Sequence, residues 1–409
     1  MDVNELLKMR DLSVSVQDNR LKSERSKALD LLRFPLACLI VWFHTFVGSG
    51  ITLQGNEYEY TFHGLLSHVR ALSEAFLSYS IVPIYFVISG FLFFLGINLT
   101  MNKYRDKIKN RFRSLFIPYI AWNTLAVLLM LVTYLPFFSH LFVTHGDAHL
   151  SFGISNILNE FWNTNYGIEE YVGDATGRGT IFPADFPMWY VRDLMIVAIT
   201  TPLLNILFKS TRYLFVLAMG VVWFVFSSRE LGYLYQLITA YFFFSLGAYM
   251  SFKGKDMMLV FKKFRIVSFV LFPVISLFLY WYAMSDIEIW NGVMDRGYTG
   301  WSYYVKNMSV LAALPFAYNL AMWLIEKFKL KCSKFLAGAS FFIYAAHGLF
   351  IYYTVRLLYF CGFRPDTQLG LFLLQLSADI LLIAGLLIIY KFLQHHWRWA
   401  RIAFAGGRA

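Results

Sequence analysis

Runs of about 20 predominantly apolar residues recur along this chain, and each is long enough to cross bilayer hydrocarbon about 30 Å thick. They fall near 29–49, 73–97, 115–136, 187–208, 213–228, 231–252, 265–284, 303–325, 335–360 and 369–391. Backbone polar groups in lipid must be satisfied within the spanning element. The expected fold is therefore all-α, a polytopic membrane helix bundle of about ten transmembrane helices. Composition agrees: 58% of residues are hydrophobic and 15% charged, against about 45–50% and about 25% in soluble domains.

The net charge of +11 does not point to nucleic acid, because the basic residues concentrate in alternate connections. Lys and Arg number 27 on one side, including both termini, and five on the other, namely Arg70, Arg178, Arg229, Arg296 and Arg364. By the positive-inside rule both termini are cytoplasmic, as an even number of spans requires. The polar N-terminal tail is too long and too charged for a signal peptide, so the first span is expected to be retained. The expected layout is a basic tail over 1–28, a membrane domain over 29–393 with an external loop over 137–186, and a basic-aromatic tail over 394–409 that anchors at the interface. The setting is a cell (inner) membrane with membrane lipid as a partner. Cys38, Cys332 and Cys361 lie too scattered for a disulfide framework.

Within the first span, Ala28-Leu-Asp-Leu-Leu-Arg-Phe-Pro-Leu-Ala-Cys-Leu-Ile-Val-Trp-Phe-His44 is interrupted only by Asp30, Arg33 and His44. Eleven residues turn a helix through about three full turns, so Arg33 and His44 share a face, about 16 Å apart along the axis. Either Arg33 snorkels to a headgroup while His44 makes a polar contact between helices, or the two line a site. Ionisable residues inside a membrane are functional by default. Tyr85 and Ser89 share a face of the second span, where Gly90 permits close helix approach. Trp189, Arg192 and Asp193 open the fourth span just inside the interface, which predicts that the charged pair faces protein or a wet cavity. Ser340, Tyr344 and His347 share a face of the ninth, with Asp379 of the tenth as the expected charged partner of His347. The external loop carries Asp147, Glu160, Glu169, Glu170, Asp174 and Asp185, with Trp162, Tyr166 and Tyr171 suited to a cap; a solvated acidic loop fits equally well. Neither a phosphate-binding glycine loop nor a metal-spaced His/Cys set is present, and the His395-His396 pair sits at a solvated end. A Gly-x-Ser-x-Gly elbow is also lacking, which argues against a covalent serine hydrolase.

Several short motifs in order resemble acyltransferase family 3. They are Arg33 with His44 eleven positions on, Tyr85-Phe-Val-Ile-Ser-Gly-Phe91, Arg111-Phe-Arg113 leading to Pro118-Tyr119, Trp189-Tyr-Val-Arg192 and Tyr344-Ala-Ala-His347. The resemblance implies an integral-membrane O-acyltransferase of mainly bacterial glycans. Its members move an acyl group, most often acetyl from cytoplasmic acetyl-CoA, to a hydroxyl of a cell-surface or lipid-linked saccharide. No cofactor is bound on this reading; acyl-CoA is a co-substrate, and the acceptor is a saccharide or glycolipid. Ala28-Leu-Asp-Leu-Leu-Arg-Phe34 stands where the family more usually has a Gly-rich opening. Some members carry a fused extracytoplasmic hydrolase-like domain; none stands here, so transfer is expected to finish within the membrane domain.

Such chemistry needs a base, an oxyanion stabiliser and a holder for the donor's phosphates. His44 suits the base near neutral pH, and Arg33 suits a donor phosphate or carbonyl oxygen. Tyr85, Ser89, Trp189, Arg192, Tyr344 and His347 are the expected substrate contacts, with Arg111 and Arg113 on the donor. A transporter or flippase for a lipid-linked glycan, using the ionisable residues as a proton relay, is the competing reading. Transport folds often show paired broken helices in related halves, and none is evident.

Overall fold

A computed structural model describes residues 3–46, 50–96, 100–133, 154–164, 181–331 and 333–407, with residues 3–22 described as backbone alone. Most of the external loop's acidic residues, with Tyr166 and Tyr171, lie outside these. Helix α1 (Val3–Thr45) carries Pro35 inside it, so the expected N-terminal tail is helical and runs without a break into the first span. A β-hairpin follows, β1 (Gly50–Leu53) antiparallel to β2 (Asn56–Glu59), with Gln54 and Gly55 both at positive φ in the turn.

The expected second span is two helices, α2 (Leu65–Phe76) and α3 (Ile81–Phe94). Pro83 has no N–H to offer Tyr79, which favours a break just ahead of it. Arg70, assigned above to an external connection, is inside α2 and buried, with Nη1 2.7 Å from the equally buried Glu74. Next come α4 (Met101–Arg111), a π-helical turn over Phe112–Phe116, and α5 (Ile117–Thr133). Here Pro118 deprives the Ser114 carbonyl of its helical donor, and the turn widens. The short α6 (Ile154–Asn159) belongs to the external loop.

A 3₁₀ turn over Phe186–Met188 leads into α7 (Trp189–Ile199) and α8 (Thr201–Ser210), bent by 57°. Pro202 removes the donor that Ala198 would have used, and the Thr201 hydroxyl takes that carbonyl at 2.7 Å. The expected fourth span is therefore broken. The chain continues through α9 (Leu214–Val225), α10 (Ser228–Leu231), α11 (Tyr233–Phe252), α12 (Met257–Lys262), α13 (Arg265–Ala283), α14 (Ile287–Arg296) and α15 (Trp301–Phe328). Then come α16 (Lys334–Phe360), α17 (Gln368–His396) and α18 (Arg398–Ala405).

Among the described residues, seven helices are long and apolar enough to cross a membrane, and the bent α7–α8 pair makes an eighth. The other two expected spans correspond to α9, which is short, and α11. The protein is a polytopic membrane helix bundle. Its main packing pairs are α3 with α11, α13 with α15, and α16 with both α1 and α17. At the α3–α11 contact a Cβ on Gly90 would lie 2.0 Å from the Phe244 carbonyl oxygen, and one on Gly247 2.0 Å from that of Val87. Gly90 thus serves the close helix approach expected of it. Helix α18 docks beneath α5: the Trp122 indole donates to the Phe404 carbonyl at 2.9 Å, and Gly406 lies against the Ser114 carbonyl.

The topology is tested at two exposed positions, Asn102 in α4 and Asn291 in α14. In a chain whose own cysteines are replaced by serine, an impermeant thiol reagent should label Asn291→Cys in intact cells and spare Asn102→Cys. The opposite pattern would overturn the cytoplasmic assignment of the termini.

Candidate active site

Between α1, α3, α7 and α16 lies a cavity of about 280 Å³, lined by Arg33, Tyr85, Ser89, Arg111, Ser114, Tyr190, Ser340 and Tyr344 among others. Residues four apart on a helix face one way, and this brings Tyr85 with Ser89, and Ser340 with Tyr344, onto its walls. Arg33 is held by Asp30 one turn earlier, at 2.9 Å, with about a third of its side chain exposed. Tyr85 donates to the Arg33 carbonyl at 2.9 Å, and Tyr344 donates to the Pro187 carbonyl. These two phenols therefore fasten α3 to α1 and the 3₁₀ turn to α16. The Ser89 and Tyr190 hydroxyls are 3.1 Å apart.

A second cavity of about 230 Å³ adjoins the first through Leu92, Arg111 and Ser114, and adds Lys107 and Asn110. Lys107 donates to the Phe93 carbonyl at the end of α3. Three cations, Arg33, Arg111 and Lys107, thus border two adjoining cavities, on the side assigned to the cytoplasm.

Tyr344 forms the far wall, and the histidines lie beyond it. The His44 and His347 rings are 5.2 Å apart between centroids, and Phe186 packs edge-on to both, at 4.9 and 5.9 Å. His347 Nδ1 is 2.6 Å from the Tyr344 carbonyl. A carbonyl can only accept, so Nδ1 carries the proton and Nε2 keeps its lone pair; that nitrogen is buried with no hydrogen-bond partner among the described residues.

Other expected contacts fall elsewhere. Trp189 is half-buried in the core, and its neighbour Tyr190 takes the place on the cavity wall. Arg192 is buried and fully engaged: it bonds Asp193 at 2.9 Å, the Trp162 carbonyl at 2.7 Å and the Ile181 carbonyl at 3.2 Å, between the rings of Trp162 and Tyr233. It clips the external loop to α7 at two points, Trp162 and Ile181. Arg113 is exposed on the π-turn, away from the cavity its neighbour Arg111 lines. Asp379 does not meet His347; its Oδ1 accepts from Thr45, because α17 faces α1 one residue beyond His44.

One residue carries weight that its place in the sequence did not suggest. Asp185, the last residue before the 3₁₀ turn, is wholly buried, and neither carboxyl oxygen has a hydrogen-bond partner among the described residues. It stands at an N-cap position yet makes no side-chain cap hydrogen bond, while Asn123 Oδ1 accepts its backbone N–H at 3.0 Å. Burial pushes its carboxyl well above the usual range, as expected of an acid without a hydrogen-bond donor. A family model described as an acyltransferase domain, Acyl_transf_3, matches residues 26–391. The chain belongs to the acyltransferase 3 family. Neither a curated protein nor a solved structure matches it. As a member, it is a membrane acyltransferase.

Proposed function

We propose that the protein moves an acetyl group from acetyl-CoA to a hydroxyl of a cell-surface or lipid-linked saccharide. The observation that carries this reading is the pair of adjoining cavities bordered by cations and walled by Tyr344, beyond which the two imidazoles stand. The donor's phosphates meet Arg111, Lys107 and Arg33, and its extended pantetheine arm runs along the cavity with the thioester leading. His44 removes the acceptor's O–H proton as that oxygen attacks the thioester carbonyl, forming a tetrahedral oxyanion. Collapse of the intermediate breaks the carbon–sulfur bond, and the departing thiolate takes the proton from the imidazolium. Tyr85 and Tyr344 donate to main-chain carbonyls, so they shape the wall, and the Ser89–Tyr190 pair is the better placed source of an oxyanion hydrogen bond. Transport folds tend to break helices in pairs, whereas one sharply bent pair stands among the described residues; the transport reading gains nothing from it.

Release of free thiol from acetyl-CoA by purified protein, dependent on a saccharide acceptor, tests this function. The structure separates the two arginines expected on the donor. Arg111→Gln should raise the acetyl-CoA KM about tenfold with little change in kcat, which is the signature of lost uniform binding. Arg113→Gln should leave both near wild type. Equal effects of the two would show that overall basic charge, not the cavity, governs donor affinity.

A further inference from the structure

The turn from Asp185 to Pro187 wraps one turn of α16. Phe186 covers both histidine rings, and the Pro187 carbonyl takes the Tyr344 hydroxyl. Oδ1 of Asp185 stands 3.1 Å from where a Cβ on Gly348 would lie, and Pro187 only 2.5 Å from it. Glycine at 348, the residue after His347, is what admits the turn so closely.

Among the described residues this packing leaves two buried polar groups without a hydrogen-bond partner: the Asp185 carboxyl, packed against Gly348, and Nε2 of His347, the residue before it. Buried polar atoms nearly always have a partner, and acidic side chains are almost never fully buried without one. Each offers an acceptor, a carboxyl oxygen and a ring-nitrogen lone pair, to a ligand that supplies donors. We propose that Asp185 and Nε2 of His347 form the subsite that receives the acceptor, a saccharide presenting two neighbouring hydroxyls. A pair of O–H groups on adjacent carbons meets two acceptors, where a lone hydroxyl meets one. The acceptor enters when the Phe186 ring turns aside. The proposal rests on the acyl-transfer reading and puts the two substrates at opposite ends of the site, donor on the cations and acceptor on this pair.

Steady-state kinetics of the full-length purified protein, with acetyl-CoA and saccharides carrying a vicinal diol, test it, each saccharide being paired with its monodeoxy form. Asp185→Asn should raise the KM for the diol about tenfold or more, leave the acetyl-CoA KM unchanged, and erase the wild-type preference for diol over monodeoxy sugar. An unchanged acceptor KM, a raised donor KM, or a fall in kcat alone overturns the subsite. If Asp185→Asn does not accumulate in membranes, Gly348→Ala decides by the same measurements: it keeps both polar groups but pushes the turn off α16, so acceptor KM should rise while donor KM holds. Wild-type protein that acetylates none of the saccharides would overturn the acyl-transfer reading itself, whereas active wild type matched in acceptor KM by Asp185→Asn overturns only the subsite.

Discussion

His44→Ala lowers the rate of acyl transfer by about 10²–10⁴-fold, the usual effect of removing a positioned base, in protein that still inserts and accumulates. The expectation rests on where His44 sits: on the α1 face it shares with Arg33, against the His347 ring, past the end of the cationic cavity. Arg33 supplies the matching experiment. Its side chain is partly exposed and, among the described residues, its ion-pair partner is a neighbour on its own helix, Asp30; such pairs contribute little to stability. Loss of activity in Arg33→Ala therefore reports on the reaction and not on folding, and Arg33→Lys, which keeps charge but loses the planar fork, should fall between. His347→Ala is the control, expected to weaken acceptor binding more than turnover. Should it alone abolish turnover, the base is the unpartnered Nε2 on α16; should His44→Ala turn over at the wild-type rate, His44 is a packing residue.

Arg70→Met destabilises the folded protein by about 3–5 kcal/mol, because it leaves Glu74 as an uncompensated charge in the bundle interior. Both side chains are essentially solvent-free, and the guanidinium also lies 5.2 Å from the centre of the Phe43 ring. Lys306, buried nearby between Tyr79 and Tyr303, softens the loss by its attraction for Glu74, which puts the result toward the lower end. Replacing both partners, Arg70→Met with Glu74→Leu, should recover most of the stability, since a buried ion pair exchanged for apolar groups is often neutral or better. Thermal unfolding in detergent reads the difference. If the double variant is as unstable as the single one, the two charges are not coupled in the way their 2.7 Å separation implies.

What could be read ahead of the structure follows periodicity. Apolar runs located the spans, and residues three, four or eleven apart brought Arg33, Tyr85, Ser89 and Tyr344 toward one cavity, because a helix converts such spacings directly into faces. Helix breaks escaped notice, since Pro83 and Pro202 sit in runs that remain apolar, and membrane helices tolerate proline. Arg192 faces protein, as its place just inside the span predicts. A charge just inside a span signals function by default, but here the guanidinium spends its donors on loop carbonyls, a use that no local pattern announces. Asp185 left the weakest trace. It lies in no periodic segment, and Asp ahead of a helical start ordinarily means a cap; its burial, with both oxygens unmet by any described residue, separates it from that routine use.

The interlock of Gly90 with Gly247 has a mechanical meaning. Each glycine notch receives the main chain of the opposite helix, so sliding α3 along α11 by one residue, a step of about 1.5 Å, would drive the Cβ of a neighbouring residue into a carbonyl that has no room to yield. The two helices move as a single keel, and Tyr85 and Ser89 ride on it as a fixed bank of the cavity. Any breathing that admits a donor or releases a product falls to the opposite bank, where a proline-widened turn at 112–116 and the hinge at Thr200 are the parts built without a full ladder of hydrogen bonds.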